Sequence, residues 1–200
     1  MRWWGGGIAL AALLMLASLA ALFFLAPVVL LAARPAAASS SAPPPAVPVS
    51  GAATPGNPLG PSCPHPPVSQ PYGPTSFSLE PAAHGYAHFH TGIDLVCPYG
   101  TLIHNVDVAG VAHVFPVAAS GGFGNEVVVE ASTPAPGHVF IRYAHMSATA
   151  VQDGTPVQVG DLLGWEGSTG YSTGPHLHFE VDVGAMSVQD STDPAGWLVL

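Results

Sequence analysis

Gly174-Pro175-His176-Leu177-His178-Phe179-Glu180-Val181-Asp182-Val183 alternates polar and apolar residues with a period of two, as a strand with one face in a core does. Leu177, Phe179, Val181 and Val183 take the core face, so His176 and His178 project together from the other, two residues apart. A metal ion can take one or both of these imidazoles. An isolated His-x-His is equally at home as two solvent-facing side chains on a strand, so the pair needs partners before it carries chemistry.

Around this stretch the same pattern repeats. Short runs at residues 110–117, 125–130 and 138–146, a pair around Val157 and residues 162–163, and residues 176–183 are separated by Gly, Pro and Asp. No segment in this part shows a 3.6-residue apolar stripe, so the spacing predicts an all-β, compact antiparallel domain over residues 69–200. Residues 35–68 precede it as a disordered Pro/Ala/Ser-rich linker, whose composition offers too little apolar surface to offset ordering entropy. Residues 1–34 hold an uncharged apolar run, 8–26, which as a helix spans about 28 Å at about 1.5 Å per residue. It reads as an N-terminal hydrophobic helix, either a membrane-spanning signal-anchor or a long signal peptide cleaved near Ala36-Ala37-Ala38. Either way the remainder is extracytoplasmic, a setting that permits a disulfide between Cys63 and Cys97 or leaves Cys63 free and Cys97 buried.

Charge narrows the function further. The chain carries twelve acids, three arginines (Arg2, Arg34, Arg142) and no lysine, for a formal charge of −9. A P-loop nucleotide site, a pyridoxal Schiff base and a lysine-modified carrier are all excluded. Nucleic acid is excluded too, since only Arg142 faces all twelve acids beyond residue 41. The ten histidines all lie beyond residue 60, which points to metal or acid/base chemistry there.

His90-Thr91-Gly92-Ile93-Asp94 brings an imidazole and a carboxylate to one side at a four-residue spacing, and adds a partial zinc ligand set to the His-x-His pair. Two histidines and one carboxylate leave a fourth position open, the mark of a catalytic rather than a structural zinc site. In residues 138–146, Val139, Ile141, Tyr143 and His145 share one face by the period of two, and a histidine so placed is more often packed than catalytic. The glycine-rich residues 164–174 lack Gly-Lys-Ser/Thr and lead into a strand, so they read as a flexible wall that lets a substrate backbone come close rather than as a phosphate cradle.

His90-Thr91-Gly92-Ile93-Asp94-Leu95, Tyr143-Ala144-His145-Met146-Ser147, Val159-Gly160-Asp161 with Leu163-Gly164, Gly167-Ser168-Thr169-Gly170 and Ser172-Thr173-Gly174-Pro175-His176-Leu177-His178-Phe179-Glu180 together resemble the lysostaphin-like, LytM-type zinc peptidases that cut peptidoglycan peptides. The resemblance implies a groove-bearing, barrel-like antiparallel fold with one Zn2+ per domain held by His90, Asp94 and His178. It implies that His145 and His176 are the two non-ligand catalytic histidines, and that the partner is a peptidoglycan peptide. Some members place a tyrosine upstream of the first ligand, an interval that here holds both His84 and Tyr86. A non-catalytic wall-binding or activator module, or a periplasmic metal-binding protein, would share parts of this pattern, and the full set of five residues favours the enzyme.

Overall fold

The computed structural model describes residues 56–133 and 137–200, which form thirteen strands and three short 3-10 helices. The strands are β1 (Val68–Gln70), β2 (Gly73–Pro74), β3 (Phe89–His90), β4 (Ile93–Leu95), β5 (Leu102–His104), β6 (Gly110–Phe115) and β7 (Asn125–Ser132). They continue with β8 (His138–Met146), β9 (Ala148–Thr149), β10 (Thr155–Val157), β11 (Leu162–Trp165), β12 (Leu177–Val183) and β13 (Ser191–Thr192). The longer ones coincide with the alternating runs of the sequence. The apolar span and the start of the linker lie outside the described residues, among which no helix is long and apolar enough to cross a membrane.

An antiparallel sheet in the order β1-β4-β12-β8-β7-β6-β10, with β13 also paired to β12, forms the main layer, and β5-β11-β9 a smaller second sheet. Register explains the two faces of the main sheet. Phe179 pairs with Ile93 on one side and Tyr143 on the other, so these residues share a face with Leu177, Val181, Ile141, Val127 and Val129, all in the core with Ile103 and Leu163 of the smaller sheet. The intervening residues of β12 are His178, Glu180 and Asp182, and Arg142 stands opposite Glu180. Alternation predicts a solvated face for them, yet all four are buried. The Arg142 guanidinium lies 3.9 Å from the Phe123 ring centroid, so this polar layer is roofed as well as floored.

The packed chain also begins earlier than composition indicates. Residues 56–68 fall in the expected linker, yet Leu59 is 1% exposed and belongs to the core. Its segment is pinned by backbone bonds from His104 N–H to Pro58 O and from Val199 N–H to Gly56 O. A single buried leucine contributes about 2 kcal/mol, and with these backbone bonds it helps to hold a short proline-rich strap that average composition marks as disordered. The strap is also covalently held, because Cys63 and Cys97 form a disulfide with Cα atoms 6.3 Å apart across 34 residues of sequence. Closing a loop of that length stabilises the fold by about 4 kcal/mol. Reduction, or Cys63→Ser, should therefore lower the midpoint of denaturant unfolding by a corresponding amount, and an unchanged midpoint with and without reductant would contradict a stapling role.

Candidate metal and catalytic centre

Asp94 and His178 are cross-strand partners on β4 and β12, so their side chains leave the polar face side by side. His90 reaches them from β3 across Thr91 and Gly92. A Cβ on Gly92 would stand 2.7 Å from His178 Nε2, so glycine at this position is what allows the segment to lie against β12. The ligand atoms are almost equally spaced: His90 Nε2 to Asp94 Oδ1 3.1 Å, Asp94 Oδ1 to His178 Nδ1 3.1 Å, and His178 Nδ1 to His90 Nε2 3.0 Å. Among the described residues this is the group of three that can hold a metal ion, and all three are buried.

The partners on the outer sides of the rings determine what the inner atoms present. His90 Nδ1–H donates to the Pro71 carbonyl at 2.9 Å, and His178 Nε2–H donates to Glu180 Oε2 at 3.0 Å. In the neutral imidazoles this leaves the lone pairs of His90 Nε2 and His178 Nδ1 facing each other and Asp94 Oδ1, three acceptors with no donor among them. A cation resolves that repulsion, and ligand distances of about 2.0–2.2 Å suit one zinc ion within a triangle of this edge. Without a metal ion the same demand for positive charge is met by protons on the rings, and the electrostatics show its strength. Burial lowers the His178 pKa, but hydrogen bonds and charge from Asp94 and Glu180 outweigh it and push it up to about 10. Burial opposes ionisation of Asp94 as well, and hydrogen bonds from His178 and His90 still hold it far below the usual carboxylate range. The donor set thus demands positive charge and fits zinc.

His145 and His176 border the same cleft. The period of two places His145 beside Tyr143 in the core, but the β7–β8 register shifts near the end of β8 and His145 takes a left-handed backbone at φ 59°. Met146 fills the core position instead, and the His145 ring turns into the cleft. Its Nδ1–H donates to the Thr169 carbonyl at 2.7 Å, which leaves the Nε2 lone pair free. Burial, with the neighbouring His178 and His176, pushes the His145 pKa down to about 3, so the ring is neutral at physiological pH. His176 Nδ1–H donates to the Gly174 carbonyl at 2.8 Å, and its Nε2 stands 3.6 Å from Asp94 Oδ1. The two ring centroids are 4.7 Å apart.

The glycine-rich stretch forms a wall, but a tied one. Thr169 Oγ1 donates to Met146 O at 2.8 Å and accepts from Asn125 N–H at 2.9 Å, while Tyr171 N–H donates to Gly122 O at 2.7 Å. Neither His84 nor Tyr86 lines the cleft: His84 Nε2 is 2.9 Å from Ser191 Oγ, and Tyr86 is half exposed beside Phe89. His113 and His138 lie elsewhere, flanking Glu130 at 2.8 and 3.3 Å.

Glu180 is the functional residue that sequence reading left without a role. It accepts from His178 Nε2–H and from the Thr91 hydroxyl, and Arg142 Nε stands 3.5 Å from its other oxygen. Burial raises its pKa, but the His178 hydrogen bond and the Arg142 charge outweigh this and keep it ionised. Glu126 and Asp182 share the same arginine at 3.3 and 3.8 Å, and burial pushes both upward, Glu126 to about 7. The alternation of β12, which puts positions 178 and 180 on one face, is the signal that could have found Glu180.

The family model described as Peptidase family M23 matches residues 88–191 of this chain. The DD-carboxypeptidase/endopeptidase Mpg of Neisseria meningitidis serogroup B (strain MC58) is 36% identical over 121 residues, 60% of this chain and 25% of that protein. The peptidoglycan DD-endopeptidase ShyA of Vibrio cholerae is 35% identical over 95 residues, 47% of this chain and 20% of that protein. This chain therefore spans about a quarter or less of the length of these curated relatives. Among solved structures, the catalytic domain of the antimicrobial peptidase lysostaphin from Staphylococcus simulans superposes with a TM-score of 0.54 at 30% identity, covering 66% of this chain and 90% of that one.

Replacing the acceptor behind the ligand tests the positioning argument. Glu180→Gln keeps the shape but withdraws the ionised acceptor from His178 Nε2–H, and zinc affinity should fall about 10- to 100-fold in competition titrations against a chelator. Unaltered affinity would show that His178 is oriented by something else.

Proposed function

The chain belongs to peptidase family M23, and from that premise we propose that it is a zinc-dependent endopeptidase hydrolysing peptide bonds in the stem peptides or cross-bridges of peptidoglycan. One observation carries the proposal: three metal-type ligand atoms within 3.1 Å of one another open onto a cleft lined by two further imidazoles, each with its outer nitrogen engaged by a carbonyl. In this reading His90, Asp94 and His178 hold one Zn2+, and His145 and His176 are catalytic. Two ordinary properties support an extracytoplasmic setting, the Cys63–Cys97 disulfide and the apolar run at 8–26 that would anchor or export the chain.

Zinc in this site would supply a Lewis acid to polarise the scissile carbonyl. The protein's own groups handle the protons. His145 Nε2 and His176 Nε2 both carry lone pairs, and one of them takes the proton that the attacking water loses as its oxygen bonds to the carbonyl carbon. That proton passes to the departing amide nitrogen as the C–N bond breaks, and the acid so formed gives up its own proton to the amine, leaving a carboxylate and an ammonium group. The other ring accepts a hydrogen bond at its Nε2 lone pair from the water's second hydrogen and so orients the attack. The fixed Nδ1–H bonds to Thr169 and Gly174 keep both rings aimed without reorganisation during the reaction.

Incubating the full chain with purified peptidoglycan, with and without chelator, and identifying released peptides by mass spectrometry tests the activity directly. Peptides should appear only in the metal-replete sample, and their absence there would remove the proposal. The two histidines of the Gly-Pro-His-Leu-His segment separate the roles. His178→Ala should lose most of its zinc together with activity. His176→Ala should retain zinc and thermal stability while turnover falls about 10²- to 10⁴-fold. Metal analysis alongside cleavage assays checks both, and a His176→Ala protein that purifies without zinc would reverse the assignment.

A further inference from the structure

Beside the metal ligands the cleft has a second wall of different chemistry. Phe77, Leu79, Glu80 and Pro81 all line it, so one short loop presents three apolar groups and one carboxylate. The loop is fastened: Glu80 N–H donates to Phe77 O at 3.2 Å, Phe89 N–H donates to Pro81 O at 2.9 Å, and His88 Nδ1 bonds Glu80 O at 3.2 Å. The carboxylate is fastened too, by Gln70 Nε2, which donates to Glu80 Oε1 at 3.1 Å. Gln70 is the cross-strand partner of Asp94, so this clamp places Glu80 one side chain away from the metal ligands, with Oε2 left available.

Glu80 has no cationic partner within 4.0 Å among the described residues. The one arginine they contain, Arg142, is buried among Glu126, Glu180 and Asp182 and cannot serve the cleft. An unpaired carboxylate flanked by apolar side chains is complementary to an alkyl stem tipped by an ammonium group. Building on the endopeptidase reading, we propose that Glu80 is a specificity-determining residue that selects peptides carrying a free aminoalkyl side chain next to the scissile bond.

Three synthetic stem-type peptides test this on the zinc-loaded full chain. One has an internal diamino acid whose side-chain amine is free and a free N-terminal amine, the second has that side-chain amine acetylated, and the third has only the N-terminal α-amine acetylated. The first and third should be cut with similar kcat/KM and the second about fivefold less well, mainly through KM, with the difference shrinking as salt is added. Glu80→Gln, which keeps the carbonyl that accepts from Gln70, should abolish the discrimination, and Glu80→Lys should invert it. Equal rates on the first two peptides, discrimination that survives in Glu80→Gln, or a loss on acetylating only the α-amine would each overturn the assignment. Binding of the same peptides to zinc-loaded His145→Ala reads the preference without turnover. Failure of all three to be cut by the wild-type chain counts against hydrolysis, whereas undifferentiated binding counts against Glu80.

Discussion

Two imidazole nitrogens and a carboxylate oxygen held about 3 Å apart in a buried place require positive charge between them, and much of this fold exists to keep them there. The glycine at position 92 permits the close approach of His90, the pairing of β4 with β12 sets Asp94 beside His178, and the carbonyl of Pro71 and the carboxylate of Glu180 hold the rings in the required tautomers. Behind them lies an unusual density of acid. Glu126, Glu180 and Asp182 crowd around a single guanidinium, so the platform is short of positive charge by construction. Upward pKa shifts on Glu126 and Asp182 relieve part of that deficit by protonation, while Glu180, the one bonded to His178, keeps its charge.

This arrangement divides labour between rigid and reactive parts. Of the three candidate ligands, Asp94 and His178 sit on β4 and β12 of the main sheet, where strands on both sides fix them, and His90 is held on β3 by its pairing with β2. The two further imidazoles sit at irregular places, His145 on a bulge and His176 just before β12, with an isolated bridge to Gly167. Regular structure holds geometry well but offers only two side-chain directions, so a ring that must aim between them comes from a break in the pattern.

The legibility of the sequence follows the same division. Strand alternation made β12 and the His176-Leu177-His178 run that leads into it readable, and the four-residue spacing of His90 and Asp94 corresponds in the structure to one cluster with His178. Where local order breaks, the pattern misled. The period of two carried His145 into the core because nothing in Tyr143-Ala144-His145-Met146 announces a bulge, and the motif resemblance rather than periodicity brought it back to the cleft. Alternation also cannot tell a solvated polar face from a buried one, since the covering Phe123 comes from a distant loop. Composition erred for a related reason at residues 56–68, where Leu59 and Cys63 secure a segment whose average is that of a linker.

The burial of Arg142 has a consequence for how this protein meets proteases. With no lysine in the chain, an enzyme that cuts after basic residues has a single target among the described residues, and that target lies 7% exposed in the middle of the main sheet. The native domain offers it no accessible bond. Scission after Arg142 requires β8 to leave its neighbours β7 and β12, which amounts to loss of the whole sheet. Trypsin susceptibility at that one peptide bond is therefore a direct gauge of how often the domain opens completely.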